Sequence, residues 1–316
     1  MLLNKIKTWQ NRSLSPDRFL EINNKIAIIR NRGGLGDILM YRMMFEDFKI
    51  LNPNIKITLA IPERYIDAVK DHPFLDEVID CKTINLNNYI IYYETSAACS
   101  QYERKIAPKA DKHRSDIWAN FCGVNLTKHN MHIRFSEAEL LKGKEILNNY
   151  RYNKKPIIIF CPISTTPAKN LLPEQQKIIT DYLKDYCVLG LHTQKIETLN
   201  VPTISGLNIR EWMAVINEAD AVISVDTAAF HLAGGLNKPL MGIYTFACGK
   251  TYGQYYDFVL VQKHRDNGDW PCGPCYKYSE CPITKDKIKP CLSQISEKNL
   301  IEGLEKLLKN NNLLLK

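Results

Sequence analysis

The chain has 316 residues, 45% hydrophobic and 24% charged, which is enough apolar side chain for buried cores and excludes a disordered polyelectrolyte. That length suits two domains of ordinary size. The formal net charge of +8 fits anionic partners such as nucleotides, phosphorylated glycans, an anionic membrane face or nucleic acid, and equally fits lysines spread for solubility. No dense basic run with interleaved aromatics singles out nucleic acid. No apolar run approaches the roughly 20 residues of a membrane span. After Met1-Leu2-Leu3 the sequence turns polar, without the apolar stretch of a secretory signal, so a cytoplasmic protein is expected, with contact to the inner membrane face as an option.

The first two dozen residues form a polar, basic arm or short helix. Lys25 to Arg30 is a compact apolar run ending at a glycine-rich turn, the pattern of a buried parallel strand. Ile38 to Ile50 has apolar residues at helical spacing, with Met40, Met43, Met44 and Phe48 on the inner face. A second strand is predicted over Ile55–Ile61, and Pro62 and Glu63 open another helical stretch. Glu77–Asp80 and Tyr89–Tyr92 are further strand candidates. After a charged helical segment, Glu137 to Tyr150, the pattern restarts. Strands are predicted over Pro156–Cys161, Cys187–Leu191, Ala221–Val225 and Leu240–Tyr244. Helices are predicted over Glu174–Lys184, Arg210–Glu218, Ala228–Gly235 and Ile295–Leu308. Strands alternating with helices imply parallel sheets with right-handed crossovers. The expected fold class is α/β, with two doubly wound Rossmann-like domains, 1–150 and 151–316, facing a cleft. Ligands of such sheets sit beyond the carboxyl ends of the strands, so the loops there carry the functional candidates.

Three loops stand out. Arg32-Gly33-Gly34-Leu35-Gly36-Asp37 joins the first strand to its helix. It lacks the full G-x-G-x-x-G fingerprint, which argues against a nicotinamide cofactor. Asp37 is placed as a helix N-cap, serving helix stability, or as a general base for an acceptor hydroxyl. The loop Cys161 to Lys169 offers Ser164, Thr165 and Lys169 to a phosphate, although Ser, Thr and Pro also make ordinary turns. In Ser224-Val225-Asp226-Thr227-Ala228-Ala229-Phe230-His231, Asp226 is expected to cap a helix whose small first residues leave N–H groups open to an anion. His231 lies one turn beyond Thr227 on the same face, as a packing histidine or a donor contact.

Taken in order, Gly34-Leu35-Gly36-Asp37, the Ser/Thr/Lys loop with Pro173 beyond it, and Ala219 to Ala233 with Lys238-Pro239 resemble the family-9 glycosyltransferases, whose best-known members are the lipopolysaccharide heptosyltransferases. The resemblance runs from Lys25 to the last helix, and its third block is the most specific. It implies a GT-B fold and an inverting transfer from a nucleotide sugar that needs no metal for its chemistry. It also implies that Asp37 is the catalytic base. By the same resemblance Lys169 is the phosphate-binding lysine and Asp226, Thr227 and His231 lie near the donor; Gly36, beside Asp37, and Ser164, Thr165 and Ala228, in the same loops as these, complete the expected donor-binding set. Ala228 stands where the family has glycine, Leu171 and Leu172 where it has a tryptophan, and Tyr41 and Arg42 where it has small and proline residues. These departures leave the fold expectation intact and bear on the donor's sugar and on the acceptor side.

Ten cysteines are many for a reducing compartment. Cys272, Cys275, Cys281 and Cys291 have the spacing C-x2-C-x5-C-x9-C, which suits a tetrahedral four-thiolate site for structural Zn or Fe. Unliganded thiols or disulfides are the alternatives. The segment resembles the iron-bearing cysteine finger of autotransporter heptosyltransferases. The resulting expectation is a heptosyltransferase-like enzyme that moves a sugar from a nucleoside diphosphate, ADP-heptose first among donors, to a glycan, lipid-linked or protein hydroxyl. The alternatives are transfer to modified nucleic acid, a sugar-nucleotide-binding protein without catalysis, and a zinc-ribbon nucleic-acid module.

Overall fold

The computed structural model describes residues 24–107, 111–263, 274–276, 281, 284–285 and 289–315. The basic arm expected at the start and Cys272 lie outside these residues. The chain divides into two compact units. One takes the chain up to Tyr102 and then Arg114–Arg134; the other takes Glu103–His113 and everything from Phe135 onward. Among the described residues no helix is long and apolar enough to cross a membrane.

The first unit holds a four-stranded parallel sheet in the order β3-β2-β1-β4, built from β1 (Lys25–Ile29), β2 (Lys56–Ile61), β3 (Glu77–Asp80) and β4 (Ile91–Glu94). In register, Ile29 faces Ala60 on one side and Glu94 on the other. The single helix expected over Ile38–Ile50 is broken. It runs as Leu35–Tyr41, a 3-10 turn Arg42–Met44, and a second helix Phe45–Leu51. The apolar periodicity survives the break, since Met40, Met43, Met44, Phe45 and Phe48 are all buried. Arg42 sits at the break, fully buried and hydrogen-bonded throughout. Its Nε donates to Met131 O (2.7 Å), Nη1 to Ala68 O (2.8 Å) and Asp71 Oδ1 (2.8 Å), and Nη2 to Asp71 Oδ2 (2.9 Å) and His132 O (2.7 Å). A bidentate carboxylate and three carbonyls satisfy all of a guanidinium's donor directions. Arg42, one of the family departures, therefore staples the framework of this unit. The stretch opened by Pro62 is a six-residue 3-10 helix, Glu63–Ala68.

The second unit holds a six-stranded parallel sheet in the order β10-β9-β8-β5-β6-β7. Its strands are β5 (Ile157–Cys161), β6 (Cys187–Leu191), β7 (Thr203–Ile204), β8 (Ala221–Val225), β9 (Leu240–Tyr244) and β10 (Val259–Gln262). Every residue of β5, β6, β8 and β9 is buried, as expected of strands covered on both faces. The short edge strand β7 and the outer strand β10 were not among the expected elements. Against a division after residue 150, the helix Glu137–Asn148 groups with this unit and packs on the helix Ile209–Glu218. Ser136 and Glu139 form a capping box at its start, and the same Glu139 carboxylate accepts from Arg210 Nε at 2.6 Å. The contact is close because residue 143 is glycine: a Cβ there would meet Ala214 O at 2.8 Å. The last helix, Glu297–Asn310, buries the expected Leu300, Leu304, Leu307 and Leu308.

Candidate functional site

In an open parallel sheet, a crevice forms where the strand order reverses, because the loops on either side leave in opposite directions. In the second unit that point lies at β5 and β8. The chain builds β5-β6-β7 outward on one side and then β8-β9-β10 on the other. The loops after these two strands are the ones the sequence singled out. Lys169, 57 residues before Asp226, reaches it in an ion pair of 2.7 Å between Nζ and Oδ2, with a longer bond of 3.3 Å to the Asp226 carbonyl. Both side chains are largely enclosed, at 17% and 9% exposure.

Asp226 is not the helix cap. Thr227 holds that position for Ala228–Gly235, and its Oγ1 accepts from Ala229 N at 3.2 Å. The hydroxyl of Ser224 lies 2.9 Å from the same Thr227 oxygen. The cap thus uses the Ala229 N–H expected to be open to an anion, and the Asp226 carboxylate is left to its cation. His231 is buried, with Nδ1 3.3 Å from the Tyr256 hydroxyl and Nε2 3.9 Å from Asp226 Oδ1, beyond hydrogen-bond length. Lys169, Asp226, Thr227 and His231 therefore converge, with Ala228 half-buried beside them as the first helical residue.

Ser164 serves its own loop: its N–H donates to Asn170 Oδ1 (2.7 Å) and its hydroxyl to Thr166 O (2.9 Å). Thr165 is exposed. Burial pushes the thiol of Cys161, at the end of β5, up to about 12, which disfavours a thiolate there.

In the first unit the reversal lies at β1 and β4, and the loops after them carry Arg30 to Gly34 and Thr95-Ser96. Gly34, without a side chain, occupies the N-cap position expected for Asp37; Gly36 and Asp37 are the second and third helical residues. The Asp37 carboxylate accepts from Arg30 Nη2 at 2.6 Å through Oδ2 and from Arg114 Nη1 at 2.7 Å through Oδ1. Gly33, at φ +112°, is required here: a Cβ would stand 2.3 Å from Arg30 Nη2 and 2.8 Å from Asp37 Oδ2. Sequence reasoning missed Arg30, Arg114 and Tyr256. Arg30 had a signal, its place at the strand end against the glycine loop. Arg114 is 77 residues from its partner and had none.

Among the described residues, Cys275, Cys281 and Cys291 form no disulfide with one another. Cys272 is outside the described residues. Among the described residues, no three His, Cys, Asp or Glu side chains gather as a metal ion would require. Those residues alone do not assemble the expected four-thiolate centre.

Two parallel-sheet units, each with its polar cluster at the strand-order reversal, make this a GT-B glycosyltransferase-type fold. Residues 188–272 match the model of glycosyltransferase family 9 (heptosyltransferase), which bears out the resemblance and the glycosyltransferase class. Among solved structures, the chain is similar to a family 9 glycosyl transferase from Veillonella parvula DSM 2008 (16% identity, TM-score 0.66, 92% of this chain and 98% of that one). It is also similar to the E. coli ADP-heptose lipopolysaccharide heptosyltransferase II (14%, 0.66, 91% and 99%). A third is TibC from enterotoxigenic E. coli H10407, described as a dodecameric iron-containing glycosyltransferase (15%, 0.68, 91% and 76%). TibC is also known as a heptosyltransferase in complex with ADP-D-beta-D-heptose. No curated protein sequence matches.

Proposed function

We propose that the chain is an inverting glycosyltransferase that transfers a heptose or similar sugar from a nucleoside-diphosphate donor, ADP-heptose first among those to test, to a hydroxyl of a glycan, lipid-linked or protein acceptor. The observation that carries the reading is the meeting of Lys169, Asp226, Thr227 and His231 at the β5/β8 reversal. A lysine there can take a leaving diphosphate as negative charge develops on it, with the Thr227 hydroxyl and the helix start nearby. Asp37 is the base of the proposal. The acceptor hydroxyl gives its proton to this carboxylate as its oxygen bonds to the anomeric carbon, and the bond to the diphosphate breaks with its electron pair. Both reversal points thereby acquire a role, one for the donor and one for deprotonation.

The proposal includes a structural Zn or Fe at Cys272, Cys275, Cys281 and Cys291. The cysteine spacing supports it, as does the description of TibC as iron-containing. No step of the transfer uses it. Metal analysis of the purified protein, before and after substitution of Cys281, tests this part, and a metal-free native protein would remove it.

The main test has two parts. A thermal-shift screen against ADP-, GDP-, UDP- and CDP-sugars should give a selective rise with one nucleotide series. Asp37→Asn should then keep donor affinity within a few-fold and lose at least about a thousandfold in kcat. A folded protein that no nucleotide sugar stabilises would sink the donor reading. Normal turnover in Asp37→Asn would sink the base.

A further inference from the structure

The first unit contains two buried arginines of opposite character. Arg42 has a carbonyl or carboxylate for every donor direction. Arg30 is almost equally buried, at 4% exposure, yet its Nε and Nη1 have no hydrogen-bond partner. Its guanidinium lies 4.7 Å from the Trp118 ring centroid and 5.4 Å from that of Tyr41. Tyr41 is itself fixed, hydrogen-bonded to Thr95 Oγ1, which donates to Ile29 O at 2.8 Å. A purely structural arginine so short of partners is an expensive choice, because buried donors without acceptors carry their full desolvation cost. What Arg30 does make is one short bond to Asp37. Burial works against its cation, but the Asp37 charge, joined by Tyr41 and Cys99, holds the arginine above its ordinary pKa.

Arg114 bonds the other Asp37 oxygen from a different element, the start of the helix Arg114–Phe121. The two guanidinium bonds thus reach the carboxylate from separate parts of the unit, one through each oxygen, as needed to fix both its position and its plane. The glycine at 33 fits the same account, since any side chain there would enter the Arg30–Asp37 contact.

We propose that Arg30 and Arg114 are positioning residues for the Asp37 carboxylate, holding it ionised and in one orientation for proton abstraction. The inference rests on Asp37 being the base. Two cations bonded to one carboxylate favour its ionised form. The same cations make it a weak base, so proton transfer comes late, when the acceptor oxygen is already bonding to the anomeric carbon. Aromatic faces suit Arg30, because they hold a cation without competing for the bond it gives to Asp37.

The test uses Arg114, the more exposed of the two arginines. Three variants, Arg114→Gln, Arg114→Lys and Arg114→Ala, are compared with the parent by melting temperature, donor affinity and kcat across pH 5 to 9. Arg114→Gln should keep donor affinity within about twofold, lose roughly ten- to a hundredfold in kcat, and move the acidic limb of the profile up by about one pH unit. Arg114→Lys should restore the limb, because it keeps the charge, but not the full kcat, because it loses the fork. Added guanidinium ion should rescue Arg114→Ala, and this readout also serves if Arg114→Gln folds poorly. A parental acidic limb in folded Arg114→Gln, or a loss of kcat matched by loss of donor affinity, overturns the positioning role. Failure of the base assignment is seen separately, as turnover that survives Asp37→Asn.

Discussion

The Lys169–Asp226 pair makes opposite predictions for its two members. In the absence of anion, the ammonium is neutralised by a carboxylate 2.7 Å away, and both are mostly enclosed. A diphosphate oxygen bonded to the same ammonium would lie within about 5 Å of the Asp226 carboxylate. At an effective dielectric near 20, that repulsion is about 3 kcal/mol per unit charge. Partial exposure of the lysine side chain, at 17%, screens it to roughly half. Asp226→Asn should therefore bind the free nucleoside diphosphate about tenfold more tightly, even if it harms transfer. Lys169→Met removes a charge-assisted bond of about 1.5–3 kcal/mol, so affinity should fall about ten- to a hundredfold. Isothermal titration calorimetry with the diphosphate that gives the largest thermal shift measures both. If the two variants weaken binding alike, or neither changes it, Lys169 is not the phosphate ligand and the pair is only a structural tie.

Gly143→Ala sets helix propensity against packing. The substitution would gain about 1 kcal/mol in an isolated helix, but the added Cβ would stand 2.8 Å from Ala214 O, and overpacking costs about 1–3 kcal/mol. A lower melting temperature is expected, and a higher one would show that the two helices can separate freely. His72 supplies a pH signature. Burial, then the Arg42 and His132 charges, lower its pKa to about 3, against about 6.5 unfolded. The unfolded chain therefore binds the extra proton between these values. The stability His72 contributes is complete above about pH 6.5 and is lost as pH falls towards 3. His72→Gln should flatten the decline in melting temperature from pH 6.5 to 5, whereas an unchanged slope would place the cause elsewhere.

The strands of both sheet centres were legible because burial on two faces leaves a continuous apolar run, as in Ile157–Cys161 and Ala221–Val225. The outer strand Val259–Gln262 has a mixed pattern, and Thr203–Ile204 is too short to show one. Lys169, Asp226, Thr227 and His231 were singled out because loops after strands are where such folds bind ligands, and the structure brings the four together. Which of them caps the helix was not legible. Asp and Thr are both good caps, and only the pull of Lys169 on Asp226 distinguishes them. The break at Arg42–Met44 was equally hidden, since the partners of Arg42 lie 26 to 90 residues away.

The path of the backbone has a consequence for anyone who cuts or recombines this protein. The chain passes from one unit to the other at 102–103, 113–114 and 134–135, so neither unit is one continuous stretch. The excursion Glu103–His113 is stitched into its host. Glu103 accepts from the buried Tyr252 hydroxyl at 2.8 Å, and His113 lies edge-on to Tyr255 at 5.1 Å. A fragment starting at residue 135 would leave that hydroxyl without its acceptor, and one ending at 134 would carry away a strip of foreign surface. Chimaeras that exchange the second unit with a relative should therefore carry residues 103–113 with it. A single junction near the middle of the sequence would leave the second unit with the other protein's strip.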